Sequence, residues 1–287
     1  MKIGMVGIGL MGHGIATNLQ KHGHTLGLFE HPGNQPLDAL VSGGAKMYSA
    51  LPALAADSDL IITVLTGSPQ VEAVIAGPGG LLEGIKPGTI FVDCSTALPG
   101  STKIVSQKVV AAKGRWLDAP MTRTPKEAAE GRLNLLVGGD AALLEEVLPV
   151  LKCFAENILH AGAVSAGHSM KLLHNYVSIG MVALLAEAAA CSERSGVSPE
   201  VFVDVLAKGG GGGIALERIK PFLLAGDVSG FRFSLANARK DLGYYGEMVS
   251  QAHAAHSLAD AVIATLDLGL KGKPDGLMPE LAAILTK

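Results

Sequence analysis

A group of polar residues lies in a long apolar segment near the middle of the chain. Residues 167–178 read GHSMKLLHNYVS, and IGMVALLAEAAA follows. If the segment is one helix, Lys171, Asn175 and Ser178 share a face at i, i+4 and i+7, with His174 beside them. A helix that is apolar on its other sides is buried, so this polar stripe would face a cavity or a partner. The alternative is a lysine that reaches solvent from a helix end.

The chemistry available to such a stripe is proton transfer. If the environment is apolar, it would disfavour the charged form of Lys171, and general acid–base catalysis uses groups whose charged form is disfavoured in this way. Asn175, one turn further on, would orient the lysine or hold a substrate hydroxyl. Three other candidates have weaker roles. Asp118 ends a predicted strand and Asp93 lies within one, and both are expected to anchor turns. Cys94 has no histidine partner to make it a nucleophile.

Composition restricts the class of protein. The 287 residues carry a net charge of −3 with 17% charged residues, and no dense Lys/Arg cluster predicts nucleic-acid binding. Cys94, Cys153 and Cys191 are odd in number and lack metal-ligand spacing, which favours a reducing compartment and no metal. The chain enters a strand at once, without a leader sequence, and the apolar run 176–191 contains Glu187, typical of a core helix. These features predict a cytoplasmic protein that is not bound to a membrane.

The pattern along the chain predicts two domains. Short β-rich runs at 2–7, 25–30, 60–65, 89–95, 115–120, 133–139 and 157–162 alternate with helical segments, which favours a mainly parallel sheet covered on both faces. Beyond about residue 164 only helical patterns occur. The predicted organisation is an α/β dinucleotide-binding (Rossmann-like) domain at 1–163 and an all-α domain at 164–287, joined by the long helix. The run GGGGG at 209–213 is either a flexible loop or a loop that approaches a ligand.

The N-terminal strand runs into a nucleotide-binding signature. Gly7, Gly9 and Gly12 form G-x-G-x-x-G between a predicted strand and a predicted helix, and Glu30 closes the next strand. The glycines allow a tight turn, close approach of the pyrophosphate and packing of helix on strand. Glu30 would bind both ribose hydroxyls and repel a 2′-phosphate, which favours NAD. His31 keeps NADP as the alternative, because a histidine can meet a phosphate.

Ordered motifs extend this signature over most of the chain: GIGLMGHGIATNLQKHG, FVDCSTALPGSTK, LDAPMTRTPKEAAEGRLNLLVGG, GHSMKLLHN and FSLANARKDLG. In these motifs the chain resembles the β-hydroxyacid dehydrogenases, which include 3-hydroxyisobutyrate dehydrogenases and tartronate semialdehyde reductases. The resemblance implies that Lys171 and Asn175 are catalytic and that Ser95 and Thr96 lie near substrate and nicotinamide. It also implies a set of cofactor contacts: Gly7, Gly9, Leu10, Met11, Gly12, Glu30, His31, Leu65, Thr66, Thr96, Phe233 and Lys240.

The loop after Asp-Ala-Pro departs from the family pattern. Thr122, Arg123 and Thr124 replace the usual Ser-Gly-Gly, and Ser165 replaces a glycine ahead of the lysine. The loop is similar to that of the sulfolactaldehyde reductase branch, in which the arginine and a serine matching Ser178 bind sulfonate. His174 stands where that branch has asparagine, and it either widens a positive field or is a polar group at the pocket wall.

The predicted substrate follows from this loop. A guanidinium at Arg123 suits a carboxylate, sulfonate or phosphonate tail, with Thr122, Thr124, His174 and Ser178 as further contacts; the alternative is a surface arginine without a ligand. We expect an NAD(P)-dependent reductase/dehydrogenase of a short hydroxy compound and its oxo form, such as sulfolactaldehyde or a semialdehyde. The alternatives are a 2-oxoalkylphosphonate reductase and a non-catalytic dinucleotide sensor. The family also implies a homodimer or homotetramer.

Overall fold

The computed structural model describes all residues, Met1–Lys287, and their contacts divide the chain into two compact units, Met1–Lys171 and Leu172–Lys287. The first unit is built on one nine-stranded sheet. Its strands are β1 (Lys2–Val6), β2 (Thr25–Phe29), β3 (Lys46–Tyr48), β4 (Leu60–Thr63), β5 (Ile90–Asp93), β6 (Arg115–Asp118), β7 (Met121–Thr122), β8 (Leu133–Gly139) and β9 (Ala155–Gly162).

The strand order is β3-β2-β1-β4-β5-β6-β8-β7, and β9 pairs with β8. The strands β1 to β6 pair in parallel, whereas β8 is antiparallel to both β6 and β7. The sheet is therefore mainly parallel, as predicted. The chain order reverses beside β1, between β2 and β4. Ligands of open α/β sheets bind at the carboxyl ends of the strands flanking such a switch point.

Helices connect the strands of the first unit. They are α1 (Leu10–Lys21), α2 (Asp38–Ser42), α3 (Leu51–Ala56), α4 (Ser68–Ala76), α5 (Pro99–Ala111), α6 (Pro125–Ala129) and α7 (Ala141–Leu151). Proline occupies one of the first two positions of α3, α4, α5 and α6, where its missing N–H costs no hydrogen bond. Two cores form, one on each face of the sheet. One contains Met5, Ile15 and Leu28, and the other contains Leu54 and Phe91.

The second unit is all-helical. After α8 (Ala166–Arg194), which the two units share, it contains α9 (Pro199–Lys208), α10 (Ile214–Ala225), α11 (Leu235–Gln251), α12 (Ser257–Gly272) and α13 (Leu281–Thr286). Ser198 and Ser234 cap α9 and α11 with their hydroxyl groups, and Gly226 ends α10 in the left-handed conformation at φ +69°. The glycine run 209–213 is the loop between α9 and α10. Within this unit, Leu216, Leu242 and other apolar side chains form a core.

Helix α8 is long and apolar enough, by length and composition alone, to cross a membrane, with a mean hydropathy of 1.4 over its most apolar window. The sequence predicts a core helix for residues 176–191, which are only part of α8. One side of α8 contributes Ile179 and Val182 to the core of the second unit. Because buried core helices have the same composition, the apolarity of α8 is weak evidence for a membrane span.

Candidate active site

The glycine turn follows β1, and its three glycines are not equivalent. Gly7 has φ +90°, and a Cβ built on it would lie 2.2 Å from the carbonyl oxygen of Val64. A Cβ at Gly12 would lie 2.0 Å from the carbonyl oxygen of Gly7. Beside Gly9, in contrast, no atom lies within 4 Å of the added Cβ. Packing therefore requires Gly7 and Gly12, whereas Gly9 leaves open space in which a phosphate group fits.

Helix α1 begins at this open space. Gly9 is its N-cap residue, and no side chain caps the helix. Uncapped N–H groups and the helix dipole favour an anion at this end. Leu10 is 66% exposed at the first helical position, and Met11 is half-buried. The residues present therefore fit the pyrophosphate of a dinucleotide.

The residues predicted to meet the adenosine ribose follow β2. Glu30 is exposed, and its backbone N–H donates to the carbonyl oxygen of Tyr48. His31 is also exposed, and its Nδ1 accepts a hydrogen bond from the backbone of Gly33 at 3.0 Å. Asn34, which sequence reasoning missed, links this loop to the glycine turn because its Oδ1 accepts from the backbone N–H of Ile8 at 3.2 Å. An Asn directly after Pro-Gly signals only a turn in the sequence.

Ser95 lies just beyond the carboxyl end of β5. It is buried, and its Oγ accepts a hydrogen bond from the backbone N–H of Leu65 at 2.9 Å. Thr96 beside it is half-buried, and Thr66 is exposed. The hydrogen bond between Ser95 and Leu65 joins two of the loops that were predicted to contact the cofactor.

Side chains around Ser95 have structural roles. Asp93 accepts from the backbone N–H of Ser95 at 3.1 Å, and Asp118 accepts from that of Ser165 at 2.8 Å, which confirms both as anchors of turns. Cys94 is buried, and burial raises the pKa of its thiol far above the ordinary value, so it is a poor nucleophile. No three or more His, Cys, Asp or Glu side chains are arranged to hold a metal ion.

Lys171 is half-buried in the second turn of α8, and its Nζ donates a hydrogen bond to the carbonyl oxygen of Met121 at 2.6 Å. Met121 directly precedes the loop of Thr122, Arg123 and Thr124. The structure thus brings the lysine amine to the backbone of the loop that departs from the family pattern. Sequence reasoning missed this carbonyl group, because backbone acceptors leave no signal in a sequence.

In the structure each side chain of this loop is bound to other protein groups. Thr122 accepts from Asn134 at 2.9 Å, and the Thr124 hydroxyl donates to Glu127 at 2.5 Å in a capping box. Arg123 has φ +81°, and its guanidinium binds the carboxylate of Glu156 and the carbonyl oxygen of Arg132. The Arg123 hydrogen bond lowers the pKa of Glu156. The arginine is therefore already paired with one carboxylate, which sequence reasoning did not predict.

In the second unit, Asn175 lies at the centre of a polar chain. It is buried, and its Nδ2 donates to Oδ2 of Asp241 at 2.7 Å. The Asn175 Oδ1 therefore points toward His174, whose Nδ1 lies 3.0 Å away and acts as the donor. Lys240 forms an ion pair with Oδ1 of Asp241 at 3.1 Å, which is outside hydrogen-bond geometry. Asp241 thus contacts both Asn175 and Lys240.

The two remaining predicted residues of the second unit are less constrained. Ser178 is half-buried, one turn beyond His174 on α8. Phe233 is half-buried, stacks on Phe231 with ring centroids 5.7 Å apart, and packs against the core of the unit. The structure therefore groups His174, Asn175 and Lys240 around Asp241, and it gives Phe233 a packing role.

The switch point, the open glycine turn and the uncapped helix define a dinucleotide-binding protein. Comparison with known proteins agrees with this class. Residues 2–162 match the family model of the NAD binding domain of 6-phosphogluconate dehydrogenase. Residues 165–275 match the NAD-binding domain of NADP-dependent 3-hydroxyisobutyrate dehydrogenase. The chain belongs to the 3-hydroxyisobutyrate dehydrogenase-like family of NAD(P)-dependent oxidoreductases, which act on CH–OH groups.

Individual relatives are similar over most of the chain. The 2-(hydroxymethyl)glutarate dehydrogenase of Eubacterium barkeri is 36% identical, covering 85% of this chain and 80% of the relative. The 3-sulfolactaldehyde reductase of Escherichia coli is 34% identical, covering 90% of this chain and 87% of the relative. The structure of Mycobacterium tuberculosis 3-hydroxyisobutyrate dehydrogenase with L-serine is 26% identical, with a TM-score of 0.88 and coverage of 100% and 99%. The predicted family, fold and cofactor class are confirmed.

Proposed function

We propose that this enzyme interconverts a short hydroxy compound and its oxo form with NAD, and that the substrate bears an anionic tail. Lys171 is the residue that we assign to proton transfer. The observation that carries the proposal is the 2.6 Å hydrogen bond from its Nζ to the Met121 carbonyl oxygen. This bond fixes the amine beside the loop of Thr122, Arg123 and Thr124, which supports chemistry and substrate recognition at neighbouring positions.

The reaction divides between cofactor and protein. A bound nicotinamide supplies the hydride for reduction and accepts it in oxidation. Lys171 stabilises the charge that develops on the carbonyl oxygen and delivers a proton to it, and it removes that proton in the reverse direction. Asn175 is held by Asp241 and His174, so it presents a fixed amide to the substrate hydroxyl. Ser95 adds a hydroxyl whose position is set by Leu65.

We assign the anionic tail to Arg123, with Thr122, Thr124, His174 and Ser178 as further contacts. In the structure the carboxylate of Glu156 accepts a hydrogen bond from the Arg123 guanidinium. Glu156 is exposed at the edge of the sheet, where solvent screens an ion pair and keeps it weak. An anionic substrate can therefore displace it at low cost. Sulfolactaldehyde and short semialdehydes are the first candidates, because the 3-sulfolactaldehyde reductase of E. coli is a relative over most of the chain.

A substrate screen tests this assignment. NADH and NADPH oxidation is measured with matched short aldehydes that carry sulfonate, carboxylate, phosphonate or no charge. We expect NADH and an anionic aldehyde to give the highest kcat/KM. A clear preference for a phosphonate ketone would instead identify a phosphonate reductase. Tight NADH binding without turnover of any oxo compound would identify a dinucleotide sensor.

Two variants test Arg123 itself. Arg123→Ala should raise KM about tenfold or more for the anionic aldehyde, because it removes a charged hydrogen bond worth about 1.5–3 kcal/mol, and should leave the neutral aldehyde unchanged. Glu156→Gln serves as the matched control, since it removes the competing carboxylate and should lower KM for the anion only. Equal changes for charged and neutral aldehydes would refute this role of Arg123.

We further propose that α8 packs against a second copy of the chain. Leu173, Val177, Met181 and Leu184 are exposed along one side of it, at spacings of four, four and three residues. A charge-free apolar stripe is complementary to itself, as a two-fold dimer requires. Val177→Glu should reduce the molar mass measured by light scattering to that of one chain.

Three free cysteines, one of them exposed, support a cytoplasmic location.

A further inference from the structure

Two carboxylates lie side by side beneath the candidate active site. Asp93 and Asp118 are the last residues of the neighbouring parallel strands β5 and β6, and they are direct partners in the register of the sheet. They are 1% and 0% exposed. Two buried carboxylates this close repel each other, and each loses its hydration. Such a pair needs hydrogen-bond donors or a cation close by.

Backbone and hydroxyl groups satisfy only part of this need. Asp118 accepts from the backbone N–H groups of Ser165 at 2.8 Å and of His168 at 3.0 Å, both at the N-terminus of α8. Oδ1 of Asp93 accepts from the Thr63 hydroxyl at 2.8 Å and from the backbone of Ser95. Oδ2 of Asp93 is buried and has no hydrogen-bond partner. The charge on Oδ2 of Asp93 can therefore be balanced only by a nearby positive charge, without a hydrogen bond.

The His168 imidazole lies between the two carboxylates and is fully buried. Its Nε2 is 3.8 Å from Oδ2 of Asp93, and its Nδ1 is 3.9 Å from Oδ2 of Asp118. These two carboxylates are the ionisable groups that face the ring. The ring nitrogens also contact the carbonyl oxygen of Ser95 and the hydroxyl of Thr102.

Hydrogen bonds place the protons on this ring. Nε2 lies 3.1 Å from the Ser95 carbonyl oxygen, which only accepts, so Nε2 carries a proton. Nδ1 lies 2.7 Å from Oγ1 of Thr102, whose hydroxyl can donate to the carbonyl oxygen of Leu98 at 3.0 Å. When Thr102 donates there, its oxygen accepts from Nδ1, which then also carries a proton. A ring that carries both protons would supply the positive charge that the two carboxylates, each within 4 Å of it, require.

We propose that His168 is a buried imidazolium that positions Lys171. It balances Asp93 and Asp118, and it ties the Ser95–Thr102 segment to the first turn of α8. Lys171 follows three residues later on the same helix, so one side chain sets the position of the lysine amine relative to Ser95. The positioning role rests on the proposed function of Lys171, whereas the protonation state stands on the buried contacts alone.

The protonation state is tested first, in the wild-type enzyme without substrate. Nitrogen-15 NMR of protein labelled in histidine distinguishes a ring with two protonated nitrogens from a neutral ring, and His168→Gln assigns the signal. We expect both nitrogens of His168 to be protonated at neutral pH. A neutral ring, with Thr102 donating to Nδ1, would overturn the imidazolium. This readout does not depend on turnover, so it stays valid if the proposed function fails.

The positioning role is tested by kinetics. His168→Gln keeps an N–H donor for the Ser95 carbonyl oxygen but removes the charge. We expect kcat to fall at least about tenfold, since misplacing a catalytic group by about 1 Å costs up to about 100-fold, with the Kd of NADH changed less than about twofold. His160→Gln is the matched control, because His160 also contacts a carbonyl oxygen, that of Gly139 at 2.9 Å. It should leave kcat unchanged.

A double variant separates positioning from a general structural effect. If His168 acts through Lys171, His168→Gln should cause no further loss of single-turnover rate in a Lys171→Met background. An equal loss in both backgrounds would overturn the positioning role. Thr102→Val removes the partner of Nδ1 and covers the case in which His168→Gln does not fold. It should lower kcat while keeping NADH binding, and an unchanged kcat would count against the proposal.

Discussion

Gly9→Ala should abolish tight cofactor binding without destabilising the fold. The added methyl group would have no neighbour within 4 Å, and the residue has φ −75°, which alanine adopts without strain. Alanine gains about 0.4–1 kcal/mol by restricting the unfolded chain and loses up to about 1 kcal/mol as a poorer N-cap than glycine. The free energy of unfolding should therefore change by less than about 1 kcal/mol.

Cofactor binding should respond very differently to the same methyl group. It fills the space where we expect the pyrophosphate, and losing even one hydrogen bond to a charged group costs about 1.5–3 kcal/mol. The Kd of NADH, measured by fluorescence titration, should therefore rise about 10- to 150-fold.

Two other glycines provide controls for this prediction. Gly12→Ala should destabilise the fold, because its Cβ would lie 2.0 Å from a backbone oxygen. Gly246→Ala in α11 adds a methyl group at ordinary contact distance, 3.6 Å from Ile263. It should raise stability by up to about 1 kcal/mol and leave NADH binding unchanged. Unaltered NADH binding in Gly9→Ala would refute our placement of the pyrophosphate.

Three further predictions concern other parts of the first unit. Glu30→Ala should reduce the preference for NADH over NADPH in kcat/KM by about tenfold or more, because it removes the carboxylate that repels the 2′-phosphate of NADPH. A wild-type preference for NADPH would show that Glu30 does not bind the ribose hydroxyls as we propose. The Tyr48 hydrogen bond and the Lys2 ion pair hold the pKa of Asp57 well below its ordinary value, so the carboxylate stabilises the fold above about pH 4 and this stabilisation is lost as the pH falls further. Asp57→Asn should accordingly lower Tm at pH 7, the difference from wild type should shrink below about pH 4, and a difference independent of pH would contradict this. Cys94 should resist thiol reagents until the protein unfolds, because burial raises its pKa; rapid modification in the native state would contradict its assignment to the core.

The long elements were predictable from sequence because their patterns are local. Strand β8 has the predicted bounds, and α8 contains the whole segment 167–178 that was predicted to be one helix. Strands β3 and β7 were missed, since three and two residues carry no detectable alternation. Helix α6 was also missed. Its signal, a threonine followed by proline and a glutamate three residues on, is a capping box that could have been recognised.

The candidate site was predictable only where side chains follow a motif. The glycine turn, Lys171 and Asn175 fall into this group. The partners of these residues lie far away in the sequence: Met121 is 50 residues from Lys171, and Asp241 is 66 residues from Asn175. No local pattern encodes such pairings. The ion pair of Arg123 with Glu156 is also a pairing between distant residues. Because of it, the substrate hypothesis now requires the anionic tail to displace the Glu156 carboxylate from the Arg123 guanidinium.

The central claim is that Lys171 donates the proton in reduction and accepts it in oxidation. One comparison of variants tests this claim most directly. Lys171→Met keeps an unbranched side chain of similar length and removes the amine that binds the Met121 carbonyl oxygen. With the best substrate of the screen, kcat should fall about 100- to 10,000-fold, the range that general acid–base catalysis contributes. The Kd of NADH should stay within about twofold of wild type. A kcat close to the wild-type value in a folded, NADH-binding Lys171→Met enzyme would contradict the claim.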